Sequence, residues 1–259
     1  MIDFSGKNIF VVGASSGMGR GLARRLAAEG ARVAVSARRA ELLETLVREI
    51  EEAGGEAFAF PADGSDEAQA ARTVEAVQQQ LGSIDIVVLN AGGAPALDLT
   101  QMTAGEVRRY MESNYYTVIN YLMPVLQLMK AQGSGTVVHT NSGAGFIGVP
   151  LQGPYSAAKA AARLLIDTAR VEFAPFGIKF TTLYPGFVAT QATQGDGMPA
   201  PDEISEEEAV NYMIEAIRGE EWDSIFPPAH KEQIEHALEV TKEELAEGLR
   251  RIFLAGEPA

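Results

Sequence analysis

The sequence contains no cysteine. That excludes disulfides and thiolate metal sites, and it suits a reducing compartment. Histidine is scarce too, with only 3 in the chain, His139, His230 and His236. His230 and His236 fall 6 residues apart, a poor helical spacing for shared ligation, so no metal site is expected. No apolar stretch approaches the ~20 residues that span a bilayer. No charged-then-apolar segment opens the chain, since 9–12 is strand-length. A cytoplasmic protein with no membrane partner is the expectation.

Positive charge is the other shortage. Lys and Arg number 21 against 35 Asp and Glu, a net charge of −14. The excess is uneven: residues 201–259 hold 16 acidic and 5 basic residues, a balance of −11 that leaves −3 for the rest. Such a tail repels nucleic acid and anionic membranes and weighs against an acidic carrier protein as substrate donor. It reads as a solvated helix face that aids solubility.

What is present is ordinary for a globular chain: 46% hydrophobic and 22% charged over 259 residues, enough for one large, mostly buried domain. Residues 8–12 form a continuous apolar run that ends in Gly13-Ala14-Ser15-Ser16-Gly17-Met18-Gly19. A helix pattern follows, with Leu22, Ala23, Leu26 and Ala27 on one face. Unbroken rather than alternating strands argue for a parallel sheet covered on both sides. The alternation repeats as strand 32–36, helix 40–53, strand 57–60, helix 67–81 and strand 84–89. Then come a long helix 106–130, strand 135–140, helix 154–173 and strand 179–184. This spacing predicts a doubly wound α/β fold, a parallel sheet of Rossmann type with helices on both faces.

Beyond 190 the pattern loosens. Residues 191–205 lack periodicity and read as a loop over the substrate. A lid helix 205–217 follows, with Ser205 as N-cap and Glu208 in the capping-box position. Residues 223–226 read as a last short strand, and 231–254 as one acidic amphipathic helix with Ile234, Leu238, Leu245, Leu249 and Ile252 on its apolar side. The expected organisation is a single domain over 1–259: a core 1–190, a loop and lid helix 191–222, and a strand and helix 223–259.

Three stretches carry chemistry. Gly13, Gly17 and Gly19 form a GxxxGxG turn between strand and helix, where the backbone can approach a pyrophosphate at a helix N-terminus. The second strand ends Ser36-Ala37-Arg38-Arg39, with no acid for ribose hydroxyls and two guanidiniums suited to a 2′-phosphate. NADP(H) is therefore expected, with NAD(H) as second choice. Tyr155 and Lys159 sit four apart at the start of a helix opened by Pro154, so phenol and ammonium share a face. A cation about 4 Å away, at an effective dielectric of about 20, is worth roughly 4 kcal/mol. That would bring the phenol about three pH units closer to neutrality and make it a usable acid–base group.

Taken in order, these motifs make the chain resemble the short-chain dehydrogenase/reductase family, of the compact single-domain kind. Further residues carry the likeness: Asp63, Asn90-Ala91-Gly92, Asn114, Ser142 thirteen residues before Tyr155, and Pro185-Gly186 with Val188 and Thr190. The sequence departs from the family pattern at Val12, where Thr is common, at Gly64 after Asp63, and at Leu89 before Asn90. The resemblance covers 6 to about 190 and implies hydride transfer between a nicotinamide and a carbonyl or alcohol carbon. Tyr155 would move the proton, and Lys159 would lower its pKa and bind the nicotinamide ribose. Ser142 would hold the substrate oxygen, and Asn114 a water in the proton relay. The cofactor would be held by Gly13, Ser15, Ser16, Gly17, Met18, Gly19, Arg38, Arg39, Asp63, Asn90, Ala91 and Gly92, together with Tyr155, Lys159, Pro185, Gly186, Val188 and Thr190.

The substrate pocket is expected to gather Ser142, Ala144, Gln152, Tyr155 and Phe187, with Gly143, Phe146, Ile147, Val149, Leu151 and Val188 around them. Mostly apolar walls suit a hydrophobic ketone. An NAD-dependent alcohol or diol dehydrogenase and a non-catalytic dinucleotide-binding regulator are the alternatives. The resemblance also implies a dimer interface through the long helix and the helix after Tyr155. Ala157, Ala158, Ala161 and Ala162 supply a small-residue surface there. The family's Gly-rich C-terminal strand, which often builds a second interface, has no match here, so a homodimer is expected in preference to the commoner tetramer.

Overall fold

The computed structural model describes residues 1–254 apart from Ala94 and Ala192. In the first half, β1 (Asn8–Val12) leads to α1 (Gly17–Ala28), β2 (Arg32–Ala37), α2 (Ala40–Glu52), β3 (Glu56–Pro61), α3 (Glu67–Leu81) and β4 (Ile86–Leu89). Then follow α4 (Ala104–Met111), a π turn (Glu112–Tyr116), α5 (Thr117–Gln132), β5 (Gly135–Thr140), α6 (Gly153–Phe173) and β6 (Ile178–Pro185). The last part holds β7 (Val188–Ala189), β8 (Ile204–Ser205), α7 (Glu206–Gly219), β9 (Asp223–Phe226), α8 (Pro228–Glu239) and α9 (Lys242–Phe253).

Seven strands form one parallel sheet in the order β3-β2-β1-β4-β5-β6-β9. The unbroken apolar strands have a simple cause. Val11, Val33, Val35 and Val88 point to a layer made by Leu22, Leu26, Leu43, Leu46, Met213 and Ile217 of α1, α2 and α7. Their neighbours Phe10, Val87 and Val137 point the other way, to Val74, Val77, Leu122, Val125 and Ile166 of α3, α5 and α6. Each face is dry, so both side-chain sets must be apolar. Burying one leucine in such a layer stabilises the fold by about 2 kcal/mol.

After β3 the chain returns to the opposite side of β1 as β4, so the strand order reverses between them. The crevice outside the carboxyl ends of these strands is where such sheets take ligands. The turn after β1 and the turn after β4 meet there: a Cβ on Gly13 (φ +84°) would stand 2.7 Å from the Ala91 backbone nitrogen.

Four features differ from the sequence reading. The long helix 106–130 is two helices, with Thr103 and Glu106 forming a capping box ahead of α4 and a π turn interrupting the run at Asn114. The loop 191–205 is bounded by a two-stranded ladder, β7 with β8, too short to show as a pattern. Ser205 caps α7 by accepting from the Glu208 backbone nitrogen at 3.1 Å, as a simple cap. The helix expected over 231–254 is α8 and α9, separated where Thr241 and Glu244 form a second capping box. Leu238 therefore lies off the buried side of α8, which is Ile234 and Ala237, and is 59% exposed. On α6, Ala158 and Ala162 are fully buried within the fold, leaving only Ala157 and Ala161 of that small-residue set on the outer side. No helix among the described residues is long and apolar enough to cross a membrane.

Candidate active site

A cavity of about 1180 Å³ runs along the carboxyl ends of the strands, from Arg38 and Arg39 beyond β2 to the α8–α9 pair. At the first end lies the N-terminus of α1. Its N-cap, Ser16, makes no side-chain capping bond, and the first turn holds no acid. The backbone N–H groups of that turn thus have no side-chain cap, and Gly17 and Met18, its first two residues, line the cavity, as suits an anion site. Gly17 (φ +57°) lies against Thr190, where a Cβ would touch Thr190 Cγ2 at 3.4 Å. Gly19 does not line the cavity. A Cβ there would overlap the Gly13 carbonyl and stand 2.6 Å from Asn90 Nδ2, so this glycine lets turn and helix pack closely.

Beside this turn, Arg39 Nη2 donates to Ser15 Oγ and Ser16 Oγ, both at 2.7 Å. Asp63 accepts from the Ser65 backbone nitrogen at 3.0 Å and from Ser65 Oγ at 2.8 Å. Those bonds, with the Arg38 charge behind them, hold its carboxyl below the usual aspartate range. Asn90 reaches Gly13 O with Nδ2 at 3.4 Å, while its buried Oδ1 has no partner. Ala91 and Gly92 continue the wall.

The other end is built by β5 and α6. Asn141, the first residue beyond β5, is buried and ties the two together. Its Nδ2 donates to Lys159 O at 3.0 Å, and its Oδ1 accepts from the Ser142 backbone nitrogen at 2.9 Å. Ser142 then caps a single 3-10 turn, Gly143–Gly145, accepting from the Ala144 nitrogen at 3.2 Å. The sequence reading missed Asn141, whose only signal is its place beside Ser142. Lys159 is buried, with Nζ donating to Thr140 O at 2.8 Å and lying 5.5 Å from the centroid of the Tyr155 ring.

The expected lowering of the phenol pKa is not found. Burial pushes Tyr155 up to about 12, with the Ser142 hydroxyl pulling weakly the other way. The reason is symmetrical: Lys159 is itself dehydrated, which brings it down to about 8, and its ammonium is aimed at the Thr140 carbonyl. Desolvation sets the direction for both groups.

Asn114 stands behind the cavity rather than on it. It is fully buried, accepting from Gly93 N at 2.6 Å and donating to Gly93 O at 3.2 Å and Tyr110 O at 3.1 Å. Its carboxamide thus fixes the 92–93 turn. A Cβ on Gly92 would meet Asn114 Oδ1 at 2.8 Å and Lys159 Nζ at 3.4 Å.

Ser142, Ala144, Gln152, Tyr155 and Phe187 all line the cavity, with Gly143, Ile147, Val149 and Val188. Phe146 does not, because its ring packs on Tyr184 at 4.6 Å and under Arg163 at 5.0 Å. Leu151 does not either; it holds a left-handed φ of 61° and accepts from Leu97 N at 2.7 Å. Gln152 Nε2 donates to Pro95 O at 3.1 Å and braces that loop against α6. Pro185, Gly186 and Thr190 close the wall near Met18.

His230, at the start of α8, was not anticipated. Its imidazole is wedged between two loops: a Cβ on Gly143 would overlap Nε2, and one on Gly186 would meet Cγ at 3.0 Å. Nε2 is buried without a partner, and burial lowers the pKa of the ring. Among the described residues no three His, Asp, Glu or Cys side chains come together as a metal site.

A family model described as short chain dehydrogenase matches residues 7–198. An uncharacterized oxidoreductase of Myxococcus xanthus is 31% identical over 227 residues, covering 88% of this chain and 90% of that one. The 3-oxoacyl-[acyl-carrier-protein] reductase FabG of Staphylococcus epidermidis is 34% identical over 202 residues, covering 78% and 83%. Among solved structures, a short-chain type dehydrogenase/reductase from Mycobacterium marinum superposes with a TM-score of 0.79 at 27% identity, covering 88% of this chain and 96% of that one.

Proposed function

The chain belongs to the short chain dehydrogenase family, and on that premise we propose that it reduces a hydrophobic ketone with NADPH. The observation that carries this is one continuous cavity, with the bare N-terminus of α1 at one end and Tyr155, Ser142 and Lys159 at the other. A dinucleotide fits the residues present: the uncapped helix turn suits its pyrophosphate, and the orphaned Asn90 Oδ1 marks an unsatisfied polar position beside it. When bound, the cofactor supplies the hydride. Everything else falls to the protein.

Tyr155 is the proton donor to the carbonyl oxygen. At about 12 its phenol is fully protonated at neutral pH, the state that reduction requires. Ser142 donates to the same oxygen and holds it within reach of Tyr155. Lys159, at about 8, is mostly an ammonium at pH 7, available to hydrogen-bond ribose hydroxyls and to keep positive charge beside the Tyr155 ring. Asn141 positions Ser142 and Lys159, and Asn114 positions the turn between them and the cofactor.

NADPH is favoured over NADH because β2 ends at Ala37 without a carboxylate and Arg39 already lies across Ser15 and Ser16. A guanidinium held there keeps its positive charge and its Nη1 donors for a 2′-phosphate. The FabG relative also has a ketone as its named substrate, on an acyl-carrier protein. The test is steady-state kinetics over a panel of ketones and aldehydes with both cofactors. The expected result is a higher kcat/KM with NADPH, lowered about tenfold to a hundredfold in Arg39→Ala while NADH is little affected. A wild-type preference for NADH would overturn the cofactor assignment.

A further inference from the structure

Helix α9 is amphipathic, yet none of its residues is buried. Leu245, Gly248, Leu249, Ile252 and Phe253 recur at helical spacing and line the cavity that holds Tyr155 and Ser142. On the opposite side Glu243, Glu247, Arg250 and Arg251 face solvent. The neighbouring helix is different. Ile234 and Ala237 anchor α8, and His230 is wedged between Gly143 and Gly186. Only Val240 and Thr241 join the anchored helix to the loose one. Among the described residues, the one aromatic contact from α9 to the body is Phe253 with Phe187, whose ring centroids are 6.4 Å apart. A helix with an apolar stripe is stabilised by burying it, and here that stripe faces the substrate end of the cavity.

We propose that α9 is the roof of the substrate site, completed by the substrate, and that the substrate is an uncharged carbonyl compound with an extended apolar body. The inference rests on the reductase reading above. Charge selects this occupant over an anionic thioester. None of the four Lys and Arg residues of α8 and α9, Lys231, Lys242, Arg250 and Arg251, lines the cavity; the imidazoles of His230 and His236 on α8 do. Of the basic groups that do, Lys159, Arg38 and Arg39 belong to the cofactor side, and Arg109 lies 3.5 Å from Glu106. Glu244 reaches the cavity wall, where its carboxylate accepts from Thr241 N at 3.0 Å and Thr241 Oγ1 at 2.8 Å; these bonds favour the ionised form, so the charge it adds there is negative and disfavours an anionic substrate. The exposed glutamates of the two helices repel the phosphates of coenzyme A and the surface of an acidic carrier protein.

The test uses the full chain with NADPH and a homologous series of methyl ketones from acetone to 2-decanone. Complete burial of each added methylene raises kcat/KM by up to about fourfold until the cavity is filled. Leu249→Ser should lower the ratio of 2-decanone to acetone efficiency at least about tenfold. Hydrogen exchange across residues 242–253, in the presence of NADPH, should slow when 2-decanone is added. A flat chain-length series, an unchanged ratio in the variant, or a preference for a coenzyme A thioester would overturn the roof. So would protection of α9 that follows protein concentration instead of ketone, which would make a second copy the occupant. Failure of every ketone to turn over, with α9 still protected by 2-decanone, would sink the reductase reading and leave the roof standing.

Discussion

At the scale of single residues, the site is set by which groups lose water. Tyr155 and Lys159 share a helical face, as their spacing requires, but sharing a face does not decide protonation. Burial raises the phenol to about 12 and lowers the ammonium to about 8. Lys159 therefore loses its charge above pH 8, and the reductive rate should fall through an apparent pKa near 8 in the enzyme without substrate. A pH profile of kcat/KM with a saturating cofactor checks this; a flat profile between pH 7 and 9 would contradict it. The types and positions of Ser142, Tyr155 and Lys159 were legible in the sequence because each belongs to a spaced motif. The direction of their pKa shifts was not, since desolvation depends on chain segments far away in sequence. Asn141 and His230 were missed for a related reason. Their importance comes from two hydrogen bonds and a wedge position that no local pattern encodes.

At the scale of elements, strands and most helices follow from local physics. Continuous apolar runs make the parallel strands, and Leu22, Ala23, Leu26 and Ala27 mark the buried side of α1 as expected. The breaks were harder to see. A π turn has no sequence signature of its own, yet at Asn114 it turns a carboxamide onto Gly93. Asn114→Ala should remove the bonds to the Gly93 N–H and C=O, destabilising the fold by about 0.5–1.5 kcal/mol. Because that turn borders the cofactor end, KM for NADPH should rise more than kcat falls. A loss confined to kcat, with thermal midpoint and KM unchanged, would assign the proton-relay role to the side chain. The division between α8 and α9 was legible in principle, because Thr241 and Glu244 have the capping-box spacing. The run of apolar positions on either side masked it.

At the scale of the whole molecule, the doubly wound sheet follows from strand–helix alternation, and its switch point brings the Gly13 turn against Ala91. The acidic tail could be read for charge but not for placement: its α7 packs against α1, and its α8 and α9 line the cavity that holds Ser142 and Tyr155. The sheet also buries a titratable group that the mechanism leaves unused. His139 on β5 is fully buried with neither ring nitrogen partnered, and burial, with the Lys159 charge behind it, holds its pKa well below the ordinary value of 6.5. Its folded value is thus lower than its unfolded value, so the unfolded chain takes up a proton first as pH falls through about 6.5. Stability should decline from pH 7.5 to pH 5, and less so in His139→Leu; equal declines in calorimetry would remove His139 as a cause. The central claim is that one cavity joins a cofactor cradle to a tyrosine proton donor. Tyr155→Phe tests it most directly, with NADPH binding followed by fluorescence and ketone reduction by absorbance on the same protein. The account predicts near-unchanged NADPH affinity and turnover reduced at least about a thousandfold; a variant that keeps substantial reduction would contradict it.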